Sequence, residues 1–208
     1  NQFVVNIQPD QLDAVRANFS AHQLAAEFAP MIRGRLVKVN DKPVHADDYE
    51  EERAQRLVER EFNLSYRNAI PPGNKLSAGR WFSAPSGSER HEASVEDGLA
   101  KTLGLKVGDR LEFTVGGENI GMQVRNLRKL NWDSMRVNFF VLTPPELLQE
   151  FPASWITSFH LPGENTTFVS QLVRAFPNLT VIDVGAILRQ LQHIMDQVAQ
   201  AVQFVFLF

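Results

Sequence analysis

The sequence predicts an α+β protein: a ferredoxin-like core of two strand–helix–strand units, a β-rich subdomain inserted between them, and a long C-terminal helix. Three observations predict it. A strand–helix–strand pattern occurs at each end of the chain, the stretch between reads as strands around one helix, and the C-terminal residues repeat apolar side chains every three or four positions.

The first unit begins at once. Phe3, Val5 and Ile7 alternate with Gln2, Asn6 and Gln8, the period of a half-buried strand with the former set inward. Pro9 and Asp10 then signal a helix start, and Leu12, Val15 and Phe19 fall on one helical face. Met31 to Asn40 reads as the second strand, closed by turn-like residues from Asn40 to Pro43. Asp47 to Glu61 carries both signs of charge around a sparse stripe of Tyr49, Ala54, Leu57 and Val58, the pattern of a solvated helix. Its acids suit a helix start through the macrodipole better than they suit a cation site.

The middle of the chain changes character. Phe62, Leu64 and Tyr66 alternate as a strand before Pro71, Pro72 and Gly73 break it. Ser94 and Asp97 have capping-box spacing, so Val95, Leu99 and Leu103 are expected on a helix that Gly104 ends. Strands are expected over Arg110 to Val115, Ile120 to Lys129 and Arg136 to Leu142, the first two joined through Gly116 and Gly117. The first pattern then returns: strand over Trp155 to Leu161, helix over Thr166 to Phe176, strand over Leu179 to Val184. These readings place the core at 1–61 and 143–184, the insert at 62–142 and the C-terminal helix at 185–208.

That helix carries Leu188, Leu191, Met195, Val198, Val202 and Val205 at helical spacing, a heptad-like seam. From Ala201 onward it becomes apolar all round except for Gln203, which reads as the beginning of a transmembrane segment. Residues 185–208 would extend about 36 Å, enough to leave a compact domain. A first strand that starts without a leader fits a domain hung between two membrane spans, and equally a mature secreted protein after signal cleavage.

Composition excludes several classes of function. Lys plus Arg number 21 against 24 Asp plus Glu, a net charge of −3, so the basic surplus of a nucleic-acid binder is missing. The absence of cysteine excludes a disulfide framework, a thiolate zinc site, an iron–sulfur cluster and a cysteine nucleophile. The five histidines, at 22, 45, 91, 160 and 193, include no pair at metal-ligand spacing. His91 beside Glu92, near Ser83, Ser86, Ser88 and Ser94, lacks the G-x-S-x-G context of a hydrolase. No phosphate-cradling G-x-x-x-x-G-K-[ST] loop and no G-x-G-x-x-G fingerprint occurs, so any ATP is handled by another chain. No catalytic residue, cofactor or metal is therefore expected. Trp81 and Phe82, after a loop, and Trp132, before a strand, offer a candidate partner surface.

Four segments carry a family resemblance: EFNLSYRN at Glu61–Asn68, GRWF at Gly79–Phe82, SVEDGLAKTLGLKVGD at Ser94–Asp109 followed by LEFTVGG, and RKLNWDSMRVNFF at Arg128–Phe140. Together they resemble the FtsX/MacB-type (type VII) ABC transporter permeases, most nearly the YbbP-like large permeases. The resemblance implies a discontinuous porter subdomain holding an inserted sabre-type subdomain, on the periplasmic side of the bacterial inner membrane, between transmembrane helices that continue as stalks. It implies a non-catalytic permease paired, through membrane parts absent here, with a separate ABC ATP-binding subunit. ATP-driven motion would be transmitted to export or extraction of a hydrophobic or lipid-like cargo. Leu188, Leu191, Met195, Val198 and Val202 would then couple the stalks. The competing expectation is a membrane-anchored module that recruits or regulates a periplasmic enzyme.

Overall fold

The computed structural model describes residues 2–83, 91–131, 136–163 and 167–206. The chain mixes α and β structure throughout. Strand β1 (Gln2–Ile7) lies where alternation puts it, but with a different buried face: Val4 and Ile7 are fully buried, whereas Phe3 and Val5 are half-buried. Asn6 explains the change, because its left-handed backbone (φ 68°) shifts the pleat by one residue. Asparagine tolerates that region. Helix α1 (Leu12–Ala21) follows a 3-10 turn at Pro9–Gln11 and buries Val15 and Phe19.

Strand β2 (Glu27–Val39) is longer than its apolar run suggests. Asn40 (φ 50°) and Asp41 (φ 67°) form the two-residue left-handed turn that matches strand twist, leading into β3 (Lys42–Pro43). The charged block opens in a 3-10 turn at Ala46–Asp48 and is α-helical only in its second half, α2 (Glu52–Glu59), which buries Ala54, Leu57 and Val58. Strands β4 (Phe62–Tyr66) and β5 (Lys75–Gly79) come next.

The expected helix start at Ser94 is instead inside a strand, β6 (Glu92–Glu96). Ser94 is fully buried; its hydroxyl donates to Asn126 Oδ1 at 2.5 Å and accepts from Arg128 Nε at 2.9 Å. Helix α3 (Asp97–Leu103) is capped by Glu96, whose carboxylate accepts from the N–H groups of Gly98 (2.8 Å) and Leu99 (2.6 Å), and it ends at the left-handed Gly104. Strands β7 (Arg110–Val115) and β8 (Glu118–Lys129) form a hairpin through Gly116 and Gly117. Strand β9 is only Val141–Thr143, shorter than expected, because the Phe139 carbonyl accepts from Arg128 Nη2 (2.5 Å) rather than from a neighbouring strand. Helix α4 (Pro145–Leu148), strand β10 (Ser154–Phe159), helix α5 (Phe168–Ala175), strand β11 (Thr180–Asp183) and helix α6 (Val184–Phe206) complete the chain.

The chain forms two compact units, Asn1–Phe28 with Ile156–Phe208, and Ala29–Trp155. In the first, β1 lies between β10 and an antiparallel β11, with Val4 opposite Val181. The Thr157 hydroxyl donates to the Glu27 carbonyl (2.7 Å), where β2 begins beside β10. Phe19 is the centre of this unit's core, meeting Phe28, Phe159 and Phe168 edge-to-face at 5.4, 4.9 and 5.0 Å. Such pairs add about 0.5–1.5 kcal/mol each beyond the area they bury.

In the second unit the pairings run β2-β4-β9-β6-β8, and β7 pairs with both β8 and β2, so six strands close into a ring. The β4–β9 and β6–β8 pairs are parallel and the other pairs antiparallel. Ile32, Leu36, Leu64, Val95, Phe113 and Val124 are among the residues of its apolar core. Gly34 belongs to the same inward row, where a Cβ would stand 2.8 Å from Leu64 Cδ1 and 3.2 Å from Val115 Cγ2.

Candidate functional site: the apolar face of the last helix

Helix α6 begins with a polar cap: Asp183 Oδ1 accepts the N–H of Ala186 at 3.0 Å. Its first three residues are half-buried, and from Ile187 to Val205 every residue whose side chain is described is exposed. Ten large apolar side chains are exposed among the described residues, and eight of them lie on this helix, which makes it the dominant apolar surface. Ile187, Leu191, Ile194, Met195, Val198 and Val202 are 47%, 52%, 53%, 65%, 57% and 48% exposed.

The arrangement is a heptad with three apolar positions. Val184, Leu191, Val198 and Val205 share one position, Ile187, Ile194 and Ala201 the second, and Leu188, Met195 and Val202 the third. They occupy an arc of about 140° at 100° per residue, broader than a two-position coiled-coil seam and typical of a helix whose apolar face packs in a bundle or on a core. The opposite face holds Arg189, Gln192, His193, Asp196, Gln197 and Gln200. Gln192 Nε2 donates to Asp196 Oδ1 (3.1 Å), and Gln197 Nε2 meets His193 Nε2 at 3.2 Å, both one turn apart.

In proteins most helical stability comes from packing of an amphipathic face rather than from helix propensity. Covering a half-exposed Leu or Ile gains on the order of 1 kcal/mol. All five sequence-predicted coupling residues, Leu188, Leu191, Met195, Val198 and Val202, lie on the exposed stripe. Ile187 and Ile194, which the sequence reading omitted, lie there too, and phasing the helix in strict sevens would have found them. Among the described residues, no helix is long and apolar enough to cross a membrane.

The aromatic candidates are differently placed. Trp81 and Phe82 stack at 4.4 Å between ring centroids; Trp81 is half-buried and donates Nε1–H to the Asn68 carbonyl (2.7 Å), while Phe82 is buried. Trp132 lies outside the described residues.

No cluster of His, Asp or Glu suited to a metal occurs among the described residues. A groove of about 400 Å³ lined by Lys38, Asp41, His91, Arg110 and Glu112 has its charges paired, Arg110 with Asp41 at 2.7 Å and Lys38 with Glu112 at 3.6 Å. Ser94 is held by Arg128 and Asn126, not by an imidazole. Arg128 is completely buried on neutral acceptors: Ser94 Oγ, Asn74 Oδ1 (3.0 Å) and the Phe139 carbonyl. Burial lowers its pKa to about 10, opposed by the charge of Glu96, so it remains a cation at neutral pH.

No protein-family profile matches the chain. It is 37% identical over 191 residues to the uncharacterized ABC transporter permease YbbP of Escherichia coli (strain K12), an alignment covering 91% of this chain and 22% of that protein. The chain thus spans about a fifth of the length of its curated relative. Among solved structures, the periplasmic region of MacB from Actinobacillus actinomycetemcomitans superposes with a TM-score of 0.46 at 10% identity, over 92% of each chain. The sequence relationship carries the family assignment.

Proposed function

This chain belongs to the FtsX/MacB-type ABC transporter permeases, in their YbbP-like branch, and from that premise we propose that it is a periplasmic domain of an inner-membrane permease whose helix α6 is a stalk. The stalk transmits ATP-driven motion from a separate ATP-binding subunit to export or extraction of a hydrophobic or lipid-like molecule. The chain supplies no chemistry of its own in this reading; its work is mechanical. The observation that carries the proposal is the uninterrupted apolar stripe of α6, exposed from Ile187 to Val205. A helix with such a face needs neighbouring helices, and displacement of packed helices is a standard way to convey a conformational change.

The first unit takes the porter role and the ring of strands the sabre-type role. The order β11-β1-β10-β2, with α1 and α5 each following a strand, supports a ferredoxin-like reading of the porter. Among the described residues, half-buried Trp81 is the accessible member of the proposed partner surface.

The test uses the full-length permease with its ATPase subunit in vesicles and a fluorescent acylated lipid as probe. Leu191→Glu and Val198→Glu place charge in the stripe. ATP hydrolysis is expected to continue while ATP-dependent release of the lipid is lost, and Gln200→Glu, on the polar face, should behave as wild type. Release at the wild-type rate in both stripe variants would remove the stalk assignment. Capture of a periplasmic enzyme without the ATPase, at equal strength in the wild type and both stripe variants, would favour a recruiting module.

A further inference from the structure

Strand β5 is attached to its sheet in an unusual way. Lys75, Leu76, Ser77 and Gly79 are exposed and Ala78 is half-buried, so the strand adds no buried side chain to the core. Its register against β8 slips between Leu76 and Ala78, leaving Ser77 as an extra residue whose hydroxyl donates to Asp97 Oδ1 (3.0 Å). Both ends are held by β8 side chains. Arg128 Nη1 donates to Asn74 Oδ1 (3.0 Å) just before the strand, and Asn126 Nδ2 donates to the Arg80 carbonyl (3.1 Å) just after it.

A glycine with a left-handed backbone precedes the segment, Gly73 at φ 79°, and another ends the strand itself, Gly79 at φ 73°. Gly79 also lies flush on β8: a Cβ there would come 2.1 Å from the Arg125 carbonyl oxygen. Beyond it the chain is fixed again by the Trp81 hydrogen bond to Asn68 and by buried Phe82.

We propose that Asn74–Arg80 is a detachable strap that docks on β8 as a unit and peels away between Gly73 and the fixed Trp81, with Arg128 and Asn126 as its clasp. Segments that open locally are those with few buried apolar contacts and exposed backbone pairing, and β5 has both features. A buried guanidinium gives up its hydration, which offsets much of what its hydrogen bonds return. Arg128 is such a group, and its contacts with Ser94 and Phe139 persist when Asn74 leaves, so the clasp can reopen and reclose without losing its own seat.

Hydrogen–deuterium exchange on the full-length protein tests this through peptides covering 74–80 and, for comparison, 110–124. The strap is expected to exchange at least about tenfold faster than the ring strands in the native state. Asn74→Ala, at a half-buried position, should accelerate exchange in 74–80 by about a further tenfold and leave 110–124 unchanged. Gly79→Ala should keep the strap off β8, bringing 74–80 to the rate of an unstructured chain. Protection of the strap equal to that of the ring, or acceleration of both regions together in Asn74→Ala, would overturn the proposal.

Discussion

Valine, leucine and isoleucine meet opposite fates in the ring of strands and in helix α6. In the ring, Leu64, Val95 and Val124 are fully buried because the pairings return to β2 and every inward side chain finds its neighbours within the unit. In α6, residues of the same type remain about half exposed along the helix from Ile187 to Val205. Hydrophobicity alone does not distinguish the two; closure does. A closed set of strands satisfies its own apolar surface, whereas a single amphipathic helix carries an unmet requirement for a neighbour.

The sharpest way to break this contrast is to truncate one residue from each region. Phe113→Ala, in the ring, should lower unfolding stability by about 3–5 kcal/mol, since it removes a ring from a core with no route to collapse. Leu191→Ala, measured on the same 208-residue chain, should change it by less than about 0.5 kcal/mol, because little is buried there to lose. Urea unfolding of both variants compares them directly. Equal losses would mean that the stripe is covered by its own chain and that α6 is not waiting for a partner.

What could be read before the structure follows the same division. The α6 stripe was legible because its signal is a local period, and every residue proposed from that period for a coupling role is exposed on one face. Ile187 and Ile194 escaped because a single seam of alternating three- and four-residue steps passes between them. Strand positions were legible from alternation, but the buried face of β1 was not, since one left-handed residue, Asn6, reverses it. Ser94 and Asp97 reproduced the spacing of a helix cap while Ser94 in fact belongs to a strand and Glu96 does the capping. Arg128 was the least legible. Its acceptors come from Asn74, Ser94 and Phe139, three segments brought together only by long-range pairing, and no local pattern marks a basic residue in β8 as buried.

Helix caps sharpen the comparison at a smaller scale. Glu96 satisfies two backbone donors of α3 inside the packed unit and is the nearby negative charge that favours the cationic form of Arg128. Glu96→Ala should lower global stability by about 1 kcal/mol, within the usual range for a lost cap. Asp183 caps the exposed α6 through a single contact to Ala186. Asp183→Ala should fray that helix locally, reducing far-ultraviolet helical signal without moving the urea midpoint. A midpoint shift in Asp183→Ala as large as that in Glu96→Ala would show α6 to be part of the cooperative core.

The smallest expected effect concerns Asp97, which links helix α3 to the strap. Its carboxyl is held below the ordinary value of 3.8, chiefly by the hydrogen bond from Lys101 (Nζ to Oδ2, 3.1 Å); partial burial opposes this, and the Ser77 hydrogen bond and the charges of Lys101 and Lys129 add to the lowering. A depressed folded-state pKa means that the unfolded chain takes up the proton first as pH falls. The contribution is therefore complete above the unfolded value, and it disappears as pH drops through the lower folded value. Lys101 is 75% exposed, so solvent screens the pair and the global effect is small. Asp97→Asn should unfold with a stability deficit that is constant above about pH 5 and shrinks below about pH 4. Exchange in 74–80 should rise in the same variant at neutral pH, because Ser77 loses a charged acceptor. A deficit that grows as pH falls would reverse the sign and exclude Asp97 as the titrating group, and unchanged exchange in 74–80 would show that β8 alone holds the strap.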